Sequence, residues 1–344
     1  MRARRTAAWL ALGLGLPSLA LVACGDDAAS SAPPSVTVTS GGAEETGQGG
    51  ATQQPVFPEG GSGPQAPGDP CNGWPQLCAR AYDQVTFPVT HASMANSATF
   101  WAHPAQSQNV RTQLDGSIRG LMLEVHDKAG APTLCFNDCA DGESPLVNEL
   151  KRVAAFLDDN PREVVTLLID NRVPASVVAQ ALDDAELSPY LYRGSGAWPT
   201  LGEMVERGER LVTFLGDATD AAPGYRSFGD AVRATTDGAG AAQELECDTP
   251  SGSPDAPLVL LMQTLAQTTQ VAVDGAAGAG GAGTATLGWP KPELAATVNR
   301  DPFFSERVAF CSDLWGRAPN FVAVDFYDES DVIGVTQRAS GLLP

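Results

Sequence analysis

The chain has 344 residues, of which 43% are hydrophobic, and a formal net charge of −20. This length and apolar content are enough for a domain with a substantial core. Such an acidic chain is expected to be soluble and not to bind nucleic acid through a basic surface.

The N-terminus has the pattern of an export signal. Three arginines precede a short apolar run, Trp9 to Val22, which is too short and too soon interrupted for a membrane span. Leu21-Val22-Ala23-Cys24 resembles a lipobox, the motif in which a cysteine becomes lipid-modified. We therefore predict a lipoprotein signal peptide at 1–23 and lipidation of Cys24, with an ordinary cleaved signal as the alternative. Loss of the three arginines would take the formal charge from −20 to −23.

The seven cysteines indicate disulfides in an oxidising compartment. If Cys24 carries lipid, six remain, and six cysteines allow fifteen connectivities. A metal site is the alternative, but the chain has no paired CxxC spacing and only three histidines. The preferred pairing is Cys71–Cys78, Cys135–Cys139 and Cys247–Cys311.

Composition divides the chain into a linker and one domain. Residues 24–70 are rich in small and polar residues and cannot bury enough surface to fold, so they are interpreted as a flexible tether. From Cys71 the composition is globular. About 270 residues suit one barrel better than two small domains, so 71–344 is predicted to be a single domain.

Strand-like and helix-like runs alternate along this domain. The predicted strands are Gln84–Thr90, Ile118–Val125, Pro132–Phe136, Val164–Asp170, Arg210–Leu215, Leu258–Gln263 and Phe321–Phe326. One helix opens at Ser144-Pro145 and ends at Asn160-Pro161, and the others are Ala175–Ala185, Leu201–Glu206 and Val332–Ala339. This alternation predicts an α/β fold with a parallel sheet, first as a closed, irregular TIM (β/α) barrel and second as a doubly wound open sheet. Asp274–Thr286 is low-complexity and predicts a surface loop.

Polar residues at predicted strand ends are the candidate site, because the chemistry of a barrel lies at the carboxyl ends of its strands. One acid there could simply cap a loop, whereas several at the same face indicate a site. They are His91, Glu124, His126, Asn137, Asp138, Asp170, Asp217, Gln263 and Asp325. Among them Asp170, Gln263 and Asp325 are candidate substrate-binding residues.

Two further features bear on the site. Arg119 offers a planar fork suited to a phosphate, and its alternative is a salt bridge to Asp115 or Glu124 at the rim. Glu124 and His126 share a strand face, so the carboxylate can set the charge of the histidine, and a packed core histidine is the alternative. No role is predicted for His103.

The chain resembles bacterial proteins with a phosphatidylinositol-specific phospholipase C X domain, in the PLC-like phosphodiesterase superfamily. The resemblance covers most of Cys71–Tyr327, and its motifs are specific only together. It implies an irregular TIM barrel, in agreement with the pattern above. Its carriers are Cys71-Asn-Gly-Trp with Cys78, Tyr82–His91 (YDQVTFPVTH), Gln113–Leu123 (QLDGSIRGLML), Phe156–Leu167 (FLDDNPREVVTL), Trp198–Met204 (WPTLGEM) and Pro319–Tyr327 (PNFVAVDFY).

The resemblance assigns His91 as the general base and Arg119 as the phosphate clamp. A second histidine of the family protonates the leaving group, but Phe136 occupies its position here. Loss of a positioned acid costs about 10²–10⁴ in rate. Asp138 and His126 are the candidate replacements.

The family pattern also bears on metal. Calcium-using relatives have an asparagine where this chain has Ala92 and an acid where it has Met122. Glu124 and Asp170 remain as candidate ligands, so calcium is possible in principle but the ligand set is depleted, and no cofactor is predicted. A further departure is Gln263-Thr264, where close bacterial relatives tend to have Asn-His.

The sequence therefore predicts an exported, monomeric lipoprotein of the bacterial cell envelope that cleaves a phospholipid head group or a related phosphodiester. Its activity is expected to be weak because of Phe136, and its membrane contact is the lipid anchor only. The main alternative is a non-catalytic lipoprotein that binds a phosphorylated head group. A metal-assisted glycerophosphodiesterase-like or sphingomyelinase D-like enzyme, with Glu124 and Asp170 as ligands, is another. A glycosidase using the same two acids is disfavoured by the family resemblance.

Overall fold

The computed structural model describes residues 68–273 and 283–344, with the backbone alone at 270–273 and 283–287. The predicted signal peptide, the lipidated Cys24 and most of the tether lie outside these ranges and stay predictions. Within the described ranges, no helix is long and apolar enough to span a membrane.

The described strands and helices alternate for most of the chain. The strands are β1 (Phe87–Thr90), β2 (Gly120–Lys128), β3 (Ala131–Leu134), β4 (Ser144–Pro145), β5 (Val165–Asn171), β6 (Leu211–Leu215), β7 (Tyr225–Ser227), β8 (Val232–Ala234), β9 (Leu258–Gln263), β10 (Ala266–Val273), β11 (Gly283–Pro290) and β12 (Phe321–Val324). The helices are α1 (Val110–Asp115), α2 (Leu146–Asp159), α3 (Ala175–Asp184), α4 (Leu201–Arg207), α5 (Phe228–Ala231), α6 (Pro292–Val298), α7 (Phe303–Trp315) and α8 (Val332–Ala339).

The central sheet is parallel and has the strand order β7-β6-β5-β2-β1-β12-β9-β8. β3 and β4 extend it by antiparallel pairing beside β2, and β10 with β11 forms a separate hairpin. The predicted α/β fold, an irregular (β/α) barrel with a parallel sheet in a single domain, is confirmed, but the predicted closure of the sheet is not seen in the described residues. Its sheet forms a half-barrel, because in the described part of the chain no pairing joins the edge strands β7 and β8.

The barrel interior is apolar and is sealed at the amino end of the strands. Phe87, Phe214 and Phe321 fill it, each almost fully buried. Below them Tyr82 stacks on Trp198 with ring centroids 4.4 Å apart. Strands buried on both faces need continuous apolar runs, which is why β6, β9 and β12 were readable from sequence. Polar chemistry is left to the opposite, carboxyl end.

Several elements differ from the sequence prediction, which did not include α1, α5, α6, β7, β8 or β10. α7 was missed because Phe303, Phe310 and Leu314 are exposed, so its apolar residues do not trace one buried stripe. The α2 helix begins at Leu146, one residue later than predicted, with Pro145 as its N-cap. Residues 274–282 of the predicted loop Asp274–Thr286 lie outside the described residues. From Gly283 onward the loop prediction is wrong, because that segment belongs to β11.

The three preferred disulfides, Cys71–Cys78, Cys135–Cys139 and Cys247–Cys311, are confirmed. The last of them closes by far the longest loop, since its cysteines are 64 residues apart. It ties α7 to the segment that leads from β8 to β9.

Loop length predicts unequal contributions of these disulfides to stability. Replacing Cys247 and Cys311 by alanine is expected to lower the free energy of unfolding by about 4 kcal/mol, because the loop-closure entropy of the unfolded chain grows with loop length. The matched pair Cys135→Ala with Cys139→Ala, whose cysteines are 4 residues apart, should cost about 2 kcal/mol. Denaturant unfolding of both double variants measures the difference. A larger loss from the short loop would contradict the prediction.

Candidate active site

His91 lies at the carboxyl end of β1 with its imidazole ring held between two carboxylates. Its Nδ1 is 2.8 Å from Oδ1 of Asp325, and its Nε2 is 3.2 Å from Oδ2 of Asp237. Asp325 directly follows β12, which pairs with β1, so the parallel register brings the two side chains together. Asp237 comes from the loop after β8. Asp325 is 1% exposed, whereas the Asp237 side chain is half exposed.

Neighbouring hydrogen bonds fix this arrangement. The Thr264 hydroxyl donates to Oδ1 of Asp237 at 2.7 Å, which leaves Oδ2 facing His91. The side-chain amide of Gln106 donates to the backbone carbonyls of His91 and Val324, each at 2.9 Å. The loop ends that carry the histidine and the buried aspartate are therefore tied to each other.

The electrostatics favour a charged histidine beside an ionised aspartate. Burial alone would lower the pKa of His91, but Asp237 and Asp325 outweigh it and raise that pKa well above its ordinary value. Burial would raise the pKa of Asp237, yet His91 and the hydrogen bond from Thr264 lower it overall. Burial, as the largest cause, raises the pKa of Asp325. Its Oδ2 is buried and has no hydrogen-bond partner among the described residues.

The ring of His91 faces a cavity of about 260 Å³ at the mouth of the barrel. Phe136 packs edge-on against that ring with centroids 5.5 Å apart, and its other side meets Trp289 of β11. Asn137 donates from its side-chain amide to the backbone carbonyl of Gly288, which links the β3–β4 loop to the hairpin. Among the described residues that line this cavity, only His91 can carry a positive charge.

Arg119 is not part of this site, so the prediction that it clamps phosphate beside His91 is wrong. It precedes β2 and lies at the amino end of the barrel, whereas His91 follows β1 at the carboxyl end. Its Nε is 2.6 Å from Oε2 of Glu163, and its Nη1 donates to the carbonyls of Leu114 and Ile118. The alternative of a salt bridge is the correct one.

The salt-bridge partner of Arg119 also differs from the prediction. Asp115 pairs with Arg111, and Glu124 pairs with His126, so neither was available to Arg119. Glu163 stands just before β5, next to β2 in the sheet, and supplies the partner that sequence spacing did not indicate.

Glu124 and His126 do share a strand face, as predicted, with Oε1 and Nε2 2.7 Å apart. This pair lies outside the His91 cavity, and so does Asp138, whose carboxylate accepts from the backbone of Ala140 in its own loop. The structure therefore does not bring His126 or Asp138 into the lining of the cavity where a replacement acid would be needed. Phe136, in contrast, forms the apolar wall of the cavity.

The candidate metal ligands Glu124 and Asp170 do not fit calcium. They are register neighbours on β2 and β5, but Arg172 bonds to both, at 2.9 Å and 3.4 Å, and His126 also pairs with Glu124. Carboxylates that are already paired with the guanidinium of Arg172 make a poor cradle for a hard cation. In the described ranges, no group of three or more histidine, cysteine or acidic residues could hold a metal ion.

Of the three predicted substrate-binding residues, only Asp325 lines the cavity. Gln263 is buried, donates to the carbonyl of Val298 at 2.7 Å and accepts from Arg307, so the prediction for it is wrong. Asp170 is an exposed partner of Arg172 and is likewise outside the cavity. Asp217, at the end of β6, accepts from the backbone of Thr219 and is a loop cap.

Asp237 was missed by the sequence analysis. It follows β8, a strand of three residues that is too short to stand out as a periodic run. The only signal for it was an acid in the Thr-Thr-Asp segment before a glycine-rich stretch, which by itself reads as a turn. The tertiary pairing of β8 with β9 is what places it beside His91.

Much of the chain is similar to proteins that contain a PI-PLC X domain. Residues 77–228 match the family model for the PI-PLC X domain. A PI-PLC X domain-containing protein of the fungus Arthroderma benhamiae is 27% identical over 292 residues, covering 79% of this chain and 90% of that protein. An uncharacterized secreted protein of the same fungus is 28% identical, covering 77% of this chain and 62% of that one.

A plant protein and a bacterial structure are also similar. A PI-PLC X domain-containing protein of Arabidopsis thaliana is 29% identical over 155 residues, covering 39% of this chain and 36% of that protein. The structure of a phosphatidylinositol-specific phospholipase C mutant from Staphylococcus aureus superposes with a TM-score of 0.49 and 13% identity, covering 76% of this chain and 94% of that one. Residues 77–228 are thus similar to a PI-PLC X domain, which supports a relationship of this chain to the PLC-like phosphodiesterase superfamily.

Proposed function

We propose that this protein is a PLC-like phosphodiesterase that cleaves a phosphoinositide or a related phosphodiester at the His91 cavity. The observation that carries the proposal is the His91 ring, which is held by buried Asp325 on one nitrogen and meets half-exposed Asp237 on the other. A positioned imidazole beside a carboxylate is an arrangement that supports general acid–base catalysis. The similarity to PI-PLC X domains supports the substrate class.

We further propose that the protein is exported and held at the bacterial cell envelope by lipid on Cys24, and that it acts as a monomer. The support is the signal-like N-terminus and lipobox, together with the relative whose name calls it secreted. A tether of some 45 residues would let the barrel mouth reach head groups near the anchor. Labelling of the expressing cells with a radioactive fatty acid tests Cys24, with Cys24→Ala as the control.

The activity test uses the full-length protein and phosphatidylinositol. We expect slow release of the head group, with His91→Ala lowering the rate about 10²–10⁴-fold because the positioned proton-transfer group is lost. A diester with a good leaving group serves as the second substrate for the wild type. His103→Ala is the matched control, because His103 lies outside the cavity lining. No turnover of either substrate by the wild type, or equal rates for wild type and His91→Ala on phosphatidylinositol, would refute the proposal.

A second function, binding without turnover, is favoured by one observation. Two carboxylates and a single imidazole are the charged groups among the cavity-lining residues described, and Phe136 stands where the family has its acid. Such a site could hold a phosphorylated head group weakly and leave it intact. Calorimetric titration with inositol 1-phosphate tests this alternative. Saturable binding that His91→Ala weakens, together with no turnover, would favour it.

A further inference from the structure

We propose that His91 is the general acid and Asp237 the general base of this phosphodiesterase, so that a histidine and an aspartate share the work for which relatives use two histidines. This assignment rests on the proposed function. It reverses the role that the family resemblance gives to His91, and it makes Asp237 a catalytic residue.

The contacts of the ring carry the first step of the argument. Its Nδ1 is hydrogen-bonded to Asp325 at 2.8 Å, and its Nε2 forms an ion pair with Asp237 at 3.2 Å. An ionised carboxylate attracts Nε2 only when that nitrogen carries a proton, because an unprotonated nitrogen would turn its lone pair toward the carboxylate oxygens. This holds wherever the proton shared by Nδ1 and Asp325 resides. A nitrogen that already carries a proton can give one to a leaving group and cannot take one from a nucleophile.

The half-exposed position of Asp237 carries the second step. Its Oδ1 is occupied by the Thr264 hydroxyl, whereas Oδ2 lies on the cavity side against Nε2 of His91. Half of its side chain is exposed, so a substrate hydroxyl or a water can reach it. Asp325 is 1% exposed and touches the ring from behind, which makes it a positioning residue.

The proton balance closes within this pair. The nucleophilic hydroxyl, of the substrate or of water, gives its proton to Asp237 as its oxygen forms the new bond to phosphorus. The bond from phosphorus to the leaving oxygen breaks with its electron pair on that oxygen, which takes the proton from Nε2 of His91. Asp237 is then neutral, and His91 has a free lone pair on Nε2. Transfer of the Asp237 proton across their direct contact restores the starting state.

The surroundings of His91 fit this assignment. The charged groups that face its ring among the described residues are Asp237, after β8, and Asp325, after β12, while the β3 side presents the uncharged Phe136. The two carboxylates raise the pKa of His91, and His91 with Thr264 lowers that of Asp237. The acid form of His91 and the base form of Asp237 therefore coexist at neutral pH, and the imidazolium also offsets the charge of a bound phosphate.

The pH dependence distinguishes the two roles of His91. If His91 is the acid, kcat/KM is flat around neutral pH, falls on the acidic side as Asp237 takes up a proton, and falls on the alkaline side as His91 loses the proton on Nε2. If His91 is the base, kcat/KM rises with pH through the raised pKa of His91, because only the neutral ring can accept a proton.

The closing experiment compares leaving groups that share one nucleophile. Wild type, His91→Gln and Asp237→Asn are assayed on inositol phosphodiesters that release either an alkoxide or 4-nitrophenoxide. A nitrophenoxide needs no protonation, so we expect His91→Gln to lose about 10²–10⁴-fold on the alkyl diester and less than about tenfold on the nitrophenyl diester. Asp237→Asn removes the base and should lose about 10²–10⁴-fold on both, although removal of its negative charge should lower KM for the anionic substrate.

The outcomes separate this assignment from the proposed function. Equal losses by His91→Gln on the two diesters would overturn the acid role and leave the phosphodiesterase function standing. Full activity of Asp237→Asn on both would overturn the base role. No turnover of either diester by the wild type would overturn both the assignment and the function. If His91→Gln does not fold, the near-isosteric Asp237→Asn and the wild-type pH profile decide the matter.

Discussion

Asp325→Asn is expected to lower the turnover of phosphatidylinositol by about 10²–10⁴-fold while the protein stays folded. Asp325 is 1% exposed and bonds Nδ1 of His91 at 2.8 Å, so it fixes the orientation and the charge of the ring. Asparagine has the same shape but no charge, so the protonated ring loses one of the two carboxylates that stabilise it. His91 then loses the proton on Nε2 more readily, and less of the enzyme carries the acid at neutral pH.

The measurement is kcat and kcat/KM across pH for the wild type and Asp325→Asn. Asp325 is one of the two groups that raise the pKa of His91, so its loss should lower that pKa and move the alkaline fall in activity to lower pH. Asp328→Asn is the matched control, because Asp328 is exposed three residues further along the chain. If the two variants have the same kcat, Asp325 does not position the catalytic ring.

The sequence analysis identified two residues of the site, His91 and Asp325, because each directly follows a strand that is recognisable from its apolar run. His91 follows an apolar run, and Asp325 closes Phe-Val-Ala-Val, which β12 confirms as a fully buried strand. Strands buried on both faces are continuous in hydrophobicity, so their ends can be read from one sequence. In a parallel barrel those ends meet at one face, which is why both residues were placed together correctly.

The other half depends on tertiary pairing, which spacing does not encode. Asp237 follows a strand of three residues, and only the pairing of β8 with β9 brings it to His91. Gln263 looked like a site residue because it ends a strand, but it is buried against the carbonyl of Val298. A side chain at a strand end lies at the carboxyl face of the barrel, but its contacts with neighbouring residues determine whether it points into the cavity or toward the helices.

Arg119→Ala is expected to lower the free energy of unfolding by about 3–5 kcal/mol and to leave turnover per folded molecule unchanged. The guanidinium pairs with Glu163 at 2.6 Å, and both side chains are less than 15% exposed. Its removal leaves the Glu163 carboxylate nearly buried without its cation, and the carbonyls of Leu114 and Ile118 lose their donor. An uncompensated buried charge is costlier than the pair that it replaces.

Arg111→Ala is the matched control for that prediction, because both guanidinium groups lie over the ring of Phe156. The salt bridges of Arg111 reach Asp115 and Asp159, which are about half exposed or more, so its loss should cost less than about 1 kcal/mol. Denaturant unfolding gives the stability of each variant, and turnover of phosphatidylinositol is measured at a temperature where all remain folded. If Arg119→Ala lost turnover but kept its stability, Arg119 would act on phosphate after all, because a purely structural ion pair at the amino end of the barrel predicts the opposite result.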